Sequence, residues 1–200
     1  MSNNKNLDYQ KLYLVYSNGN AFYQICKYIR KNLSKHSIGS PLPTMFMNGS
    51  FAVEQYLKFI LGYEFNQKNA PTSEVTIPKV HELIKLFENL SVESQDKIIK
   101  AMRSNEKDFK CALGEMSDSF RTWRYFYEKD SVENDHVFLF KLLIILDKYC
   151  AFIVEKEKMP CNIMPISSAH TEPVTPDNLY KSADGLIDDF EETFDDSIFQ

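Results

Sequence analysis

Glu54 and Lys58, the lone His81, and the group Arg121, Arg124, Tyr127 and Glu128 are the residues whose types and spacing can do chemistry in this chain. Arginine and lysine suit a phosphate, a tyrosine ring stacks on a base, and a carboxylate accepts from sugar or base edges. Converging, these side chains would make a polar pocket for a nucleotide or RNA. An ordinary reading stands beside each. Glu54 and Lys58 have the favourable i,i+4 order of a surface ion pair, and Arg124 and Glu128, one turn apart, can pair with each other. His81, near a helix start, serves equally as a cap or edge residue. Buried charges are tolerated only when paired, so convergence can also mean a structural network.

Catalysis asks for more. RNA cleavage without metal needs a base for the 2'-hydroxyl, an acid for the leaving oxygen and a cation for the phosphorane charge. His81 with Arg121 or Arg124 fills part of that requirement. Arg30 and His36 have an Arg-x5-His spacing at the end of the first helix, entering a loop. The sequence has no Gly-rich phosphate loop, no Gly-x-Ser-x-Gly elbow and no paired histidines at metal spacing. No metal or cofactor is expected, and a binding module is favoured over an enzyme.

The elements that must position these residues read as helices. Leu12, Val15, Gly19, Phe22, Cys26, Ile29 and Leu33 repeat at three and four, predicting a first helix over 7–33. Gly19 on that seam implies close approach of another helix, since glycine inside a helix costs about 1 kcal/mol. A break at Asn18-Gly19-Asn20 is the alternative. Pro43 suits the first turn of a second helix, whose stripe (Phe46, Ser50, Val53, Tyr56 or Leu57, Ile60) ends near Gly62. The segment 66–78 is polar and proline-bounded. Val80, Leu83, Ile84, Phe87 and Leu90 predict a third helix, and Ser91 caps a short fourth reaching Met102.

Phe109, Leu113, Met116, Phe120, Trp123 and Tyr127 form the stripe of a further helix starting near Asp108. The last helix, about 133–156, is apolar nearly all round from Val137 to Leu146, so it is either central in a bundle or half of a subunit interface. No segment alternates with a two-residue period. The expected fold is all-α, an up-and-down bundle of about five helices over residues 1–158.

Residues 159–200 differ. Pro160, Pro165, Pro173 and Pro176 punctuate a Ser/Thr-rich linker, and residues 176–200 carry eight carboxylates against Lys181. Removing these from the chain's 28 acids and 23 bases leaves 20 and 22, so the net charge of -5 belongs to the tail and the body is near +2. That balance disfavours an indiscriminate duplex-DNA binder without excluding a local RNA site. Leu186, Phe190, Phe194 and Ile198 recur every four residues in the tail. It is either a partly disordered solubilising segment or a short amphipathic helix that docks on this protein or a partner.

The first residues lack a signal-peptide h-region, and the greasiest stretch, Val137 to Leu146, is far short of a membrane span. Cys26, Cys111, Cys150 and Cys161 have no paired spacing. The first three fall in helical patterns and are expected to be small buried thiols in a reducing cytoplasm.

Three segments together resemble the HEPN domains of prokaryotes, over roughly residues 8–156. Ala52-Val-Glu54-Gln-Tyr-Leu57-Lys58-Phe-Ile-Leu61 is similar to the family's A-x-E-x-x-L-K-x-x-L helix. His81-Glu-Leu83-Ile-Lys-Leu86-Phe87 resembles its G-H-D-L-x-x-L-F segment, with Val80 for glycine and Glu82 for aspartate. Trp123-Arg124-Tyr125-Phe126-Tyr127-Glu128 resembles W-R-Y-x-Y-E. The resemblance implies a helical bundle, frequent homodimerisation, and roles in toxin-antitoxin, antiviral defence or nucleotide-linked systems. Catalytic members carry Arg-x(4-6)-His at the start of a late helix. Here the late helix begins Glu133-Asn-Asp-His136, and Arg124 is too distant to complete that motif. The resemblance therefore implies a non-catalytic binding or regulatory module, with a ribonuclease of atypical site or a nucleotide-binding accessory domain as alternatives.

Overall fold

The computed structural model describes residues 3–32, 42–68, 79–124, 136–159, 187, 190 and 193–199, with backbone alone for 3–8, 118–124 and 196. Its helices are α1 (Asn3–Lys31), α2 (Leu42–Lys68), α3 (Leu83–Glu88), α4 (Val92–Ala101), α5 (Glu106–Arg124) and α6 (His136–Lys156), followed by a 3-10 turn at Asp196–Phe199. Among the described residues there is no strand, and the fold is an all-α bundle. No described helix is long and apolar enough to cross a membrane.

α1 is continuous through Asn18-Gly19-Asn20 and packs mainly on α2. Leu12, Val15, Cys26 and Ile29 of its seam are buried. Gly19 lies where a Cβ would stand 3.0 Å from two ring carbons of Tyr56, so the missing side chain is what lets the helices meet. α2 runs past Gly62, where the stripe suggested an end, to Lys68. Its last turns are held from outside: Tyr63 donates to Glu157 at 2.9 Å, and Glu64 accepts from the Ser91 amide and hydroxyl at 2.8 and 2.6 Å.

The third helix is shorter than its apolar pattern. Residues 79–82 are not helical, Glu82 is extended, and α3 begins only at Leu83. Val80 and Leu90 still pack in the same core from outside the helix. Ser91 caps α4 as expected, its hydroxyl accepting from the Ser94 amide at 3.3 Å. Asn105 does the same for α5, accepting from the Asp108 amide at 2.9 Å. Arg103 and Lys158, just past α4 and α6, adopt positive φ (53° and 49°), as helix ends closing in the left-handed region do.

α6 is the central element of the two alternatives its composition left open. Leu139, Phe140 and Leu142–Leu146 are buried under α2, α1, α4 and the C-terminal turn. Two carboxylates, Asp147 on α6 and Glu157 just past its end, tie the long helices together. Asp147 accepts from Asn20 of α1 at 3.0 Å and Tyr56 of α2 at 2.6 Å. Glu157 accepts from Tyr9 of α1 at 2.8 Å and Tyr63 of α2 at 2.9 Å. These pairings run α1 antiparallel to α2 and α6, and α2 parallel to α6. The contacts Phe87–Phe109 and Leu83–Ser117 run α5 antiparallel to α3. His81–Glu54 and Ser91–Glu64 run the α3 segment parallel to α2, so in chain order the four long helices alternate in direction, with α3 and α4 as short elements between α2 and α5.

The tail's described residues pack on the body. Ile187, Phe190 and Phe199 are buried in the common apolar cluster, and Phe194 and Ile198 are partly buried against it. Leu186 lies outside the described residues.

Candidate functional site

Glu54 and Lys58 sit mid-way along α2, flanked by Val53, Leu57 and other fully enclosed residues. The surface ion pair suggested by their spacing is in fact an interior one: their side chains are only 11% and 9% exposed, with Lys58 Nζ 2.8 Å from Glu54 Oε1. A surface location fails because apolar residues occupy nearly every direction around this stretch of α2, so the pair has no outward face to occupy. Burial of either charge alone would be strongly unfavourable, and the i,i+4 contact compensates both.

His81 completes the cluster. It arrives on the non-helical residues ahead of α3, and its Nδ1 lies 3.0 Å from the same Oε1 that receives Lys58. Where the carboxylate acts as acceptor, Nδ1 is the donor of this contact and Nε2 is the nitrogen left for other partners. The ring itself is 74% exposed. The result is a carboxylate fixed in the interior that orients an imidazole standing at the surface, the arrangement in which a second group sets a histidine's tautomer.

α5 approaches the same end. Glu82 offers no side-chain cap to α3, and the orphan Leu83 amide instead donates to Ser117 Oγ of α5 at 3.0 Å. Arg121 and Arg124 follow Ser117 by four and seven residues along the backbone of α5. Because α5 runs antiparallel to α3, both positions lie beyond Leu83, toward the end where His81 stands. Their side chains, and the whole of Tyr127 and Glu128, lie outside the described residues. Of the seven candidates, Glu54, Lys58 and His81 meet atom to atom, and the backbone of Arg121 and Arg124 is directed to the same end.

Arg30 is the penultimate residue of α1, with its guanidinium 5.1 Å from the centre of the Phe140 ring. Its candidate partner His36 lies outside the described residues. The buried-thiol expectation holds for Cys26 and Cys150; Cys111 is exposed, a correction, because it sits two residues from both Phe109 and Leu113 on the opposite side of their stripe. Cys161 lies outside the described residues. Among the described residues, no three His, Cys, Asp or Glu side chains gather as a metal site.

Sequence reasoning does not single out Asp147, Glu157 or Glu64, which accept hydrogen bonds from other elements of the bundle. The available signal was a carboxylate directly after the apolar run of α6, which has to find partners. A cleft of about 350 Å³ opens near the far end of α2, with Glu64, Lys97, Tyr149 and Phe199 in its walls. Four of its polar groups are engaged with one another: Ser94 Oγ and the Tyr149 hydroxyl are 2.9 Å apart, and Lys97 pairs with Glu93 at 3.1 Å. Glu64 is ten residues, roughly 15 Å of helix, from Glu54, so this cleft is separate from the histidine cluster. In the comparisons with known proteins, no protein-family model, no curated protein and no solved structure matches the chain.

Proposed function

We propose that the chain is a non-catalytic HEPN-like binding or regulatory module, acting as a homodimer in the cytoplasm of a prokaryotic stress, toxin-antitoxin or defence system, and that its ligand is a nucleotide or RNA. The observation that carries the reading is the buried Glu54–Lys58 pair holding His81 at the surface. An exposed imidazole suits a phosphate group, with the buried pair as the rigid base that positions the ring, and the backbone of Arg121 and Arg124 lies toward the same end of the bundle. The test is fluorescence titration with a labelled mononucleotide and a short single-stranded RNA. Binding that weakens at least tenfold in His81→Ala, with folding unchanged, supports the reading; equal binding by both proteins removes it.

The dimer draws support from α1 rather than α6. Outside its inner seam, α1 carries Leu14, Asn18, Ala21, Ile25 and Tyr28 at four-three-four-three spacing, all exposed. Leu14, Ile25 and Tyr28 are 52%, 44% and 58% exposed. A stripe of that period matches an equal helix on a second copy. Light scattering at micromolar concentration should give a dimer that becomes monomeric in Ile25→Glu; a monomeric unaltered chain removes the proposal.

One observation favours a second reading, a metal-independent ribonuclease. A carboxylate that orients one imidazole nitrogen and leaves the other outward is also how a general base is held. RNA cleavage in the presence of a chelator, lost in His81→Ala or His36→Ala, would replace the binding module by an enzyme.

A further inference from the structure

The C-terminal segment touches the body through side chains that behave as anchors. Phe199 stacks on Tyr149 of α6 with ring centres 4.6 Å apart and planes 9° apart. Phe190 lies 5.3 Å from the Lys141 ammonium and Phe194 lies 4.9 Å from that of Lys148. Lys97 of α4 reaches the Phe199 carbonyl at 3.5 Å. Lys141 and Lys148 are seven residues apart on α6, two turns along one face, so together with Lys97 they edge an apolar surface with cations. The segment brings the opposite charge, with Asp188, Asp189, Glu191, Glu192, Asp195 and Asp196 interleaved among its anchors.

This is the logic of an amphipathic peptide in a groove, with apolar anchors for affinity and complementary charge for approach and orientation. It differs from the α1–α2–α6 core, where Asp147 of α6 and Glu157 just past it clasp both neighbouring helices. The 3-10 turn has its main contacts with α4 and α6. Phe199 also forms part of the wall of the 350 Å³ cleft, so departure of the segment would enlarge an opening already present.

We propose that the α4/α6 face is a peptide-docking surface, that the chain's own Ile187, Phe190 and residues 193–199 are its resident ligand, and that an acidic, aromatic-bearing segment of a partner protein binds by displacing them. The resident ligand is part of the same chain, so a partner must outcompete an intramolecular contact. The proposal does not rest on the nucleotide reading of the His81 end.

The experiment uses the full chain and a fluorescein-labelled synthetic peptide of residues 184–200. Phe190→Ala with Phe199→Ala removes the resident anchors, and this variant should bind the peptide about tenfold or more tightly than the unaltered chain. Binding should weaken as salt rises and be lost when Lys141→Glu and Lys148→Glu are added. A folded variant that binds no better than the unaltered chain overturns the proposal, and so does a variant that unfolds, because the segment is then part of the core. Hydrogen exchange of the unaltered chain reads the same point independently. Backbone amides of 193–199 should exchange about a hundredfold faster than those of 144–150; exchange in step with α6 overturns displacement. Dimers that need Phe190 and Phe199 would seat a second copy's segment in the groove and overturn the resident-ligand assignment. Dimers sensitive only to Ile25→Glu leave the groove with its own tail, as proposed.

Discussion

Tyr56 lies against Gly19 so closely that a methyl group on the glycine would stand 3.0 Å from its ring. The ring has little room to move: Tyr56 is fully enclosed and its hydroxyl is held by Asp147 at 2.6 Å. Gly19→Ala should therefore destabilise the protein by about 1 kcal/mol, although alanine is the better helix former by a similar amount. Gly114 is the control, because a Cβ there meets nothing within 4 Å. Gly114→Ala should stabilise by about 0.5–1 kcal/mol. Urea melts of both variants read the two signs, and a stabilised Gly19→Ala would show that the ring gives way.

Separating the members of the Glu54–Lys58 pair should cost far more than removing both. Lys58→Met leaves a buried carboxylate with only His81, and a loss of about 3–5 kcal/mol is expected. Glu54→Leu combined with Lys58→Met should recover most of that stability. Such a double variant with normal stability and no ligand binding would assign the pair to function; normal binding would assign it to architecture.

Stability should fall at alkaline pH through the tyrosines. Burial, and then the hydrogen bond to the Glu157 carboxylate, pushes Tyr9 up to about 12. Burial first and carboxylate neighbours next push Tyr16, Tyr56 and Tyr63 in the same direction. In the unfolded chain these groups ionise near their ordinary value of 10.0. Between that value and the raised ones, the unfolded state has lost protons that the fold retains, so stability declines as pH rises. The tyrosine contribution is complete below pH 10 and is lost above it. Chemical denaturation across this range, with absorbance of the tyrosinate band as the titration signal, should show the decline start later than pH 9 or so. Tyr56→Phe should make it shallower.

Thiol labelling should divide the cysteines. Burial pushes the Cys26 thiol up to about 12 and the fully enclosed Cys150 well above its ordinary value. Both should stay unmodified by iodoacetamide in the native protein and react only on unfolding, while exposed Cys111 reacts at once. Peptide mapping by mass spectrometry distinguishes the three, and rapid native labelling of Cys26 would contradict the packing of α1 on α2.

The helices were legible wherever a single periodic stripe faced a single neighbour. The seam of α1 and the reason for its glycine, the Ser91 cap, and the Phe109–Leu113–Met116 stripe all follow from spacing. Spacing is silent on burial depth, and Glu54 with Lys58 shows why: an i,i+4 pair looks the same on a surface and inside. The distinguishing sign was the company it keeps, since Ala52, Val53, Tyr56, Leu57, Phe59 and Ile60 leave that turn no polar side. The extension of α2 beyond Gly62 depends on Glu157 and Ser91, which are remote in sequence and invisible to a local pattern. Cys111 was legible and misread; its offset from Phe109 and Leu113 already pointed it outward. Of the polar cluster, the sequence supplied the members, and only tertiary packing brings His81 onto Glu54.

Asp147 of α6 and Glu157, just past its end and ten residues on in the chain, each hold α1 and α2. Sliding any of these three helices by a turn would unmake both clasps at once, so they are locked in register and must travel as one stiff frame. Shear among α1, α2 and α6 is thereby closed to this fold as a way of relaying a signal. Whatever adjusts on binding has to be hung on that frame: the imidazole end at one level, and the aromatic plug at another.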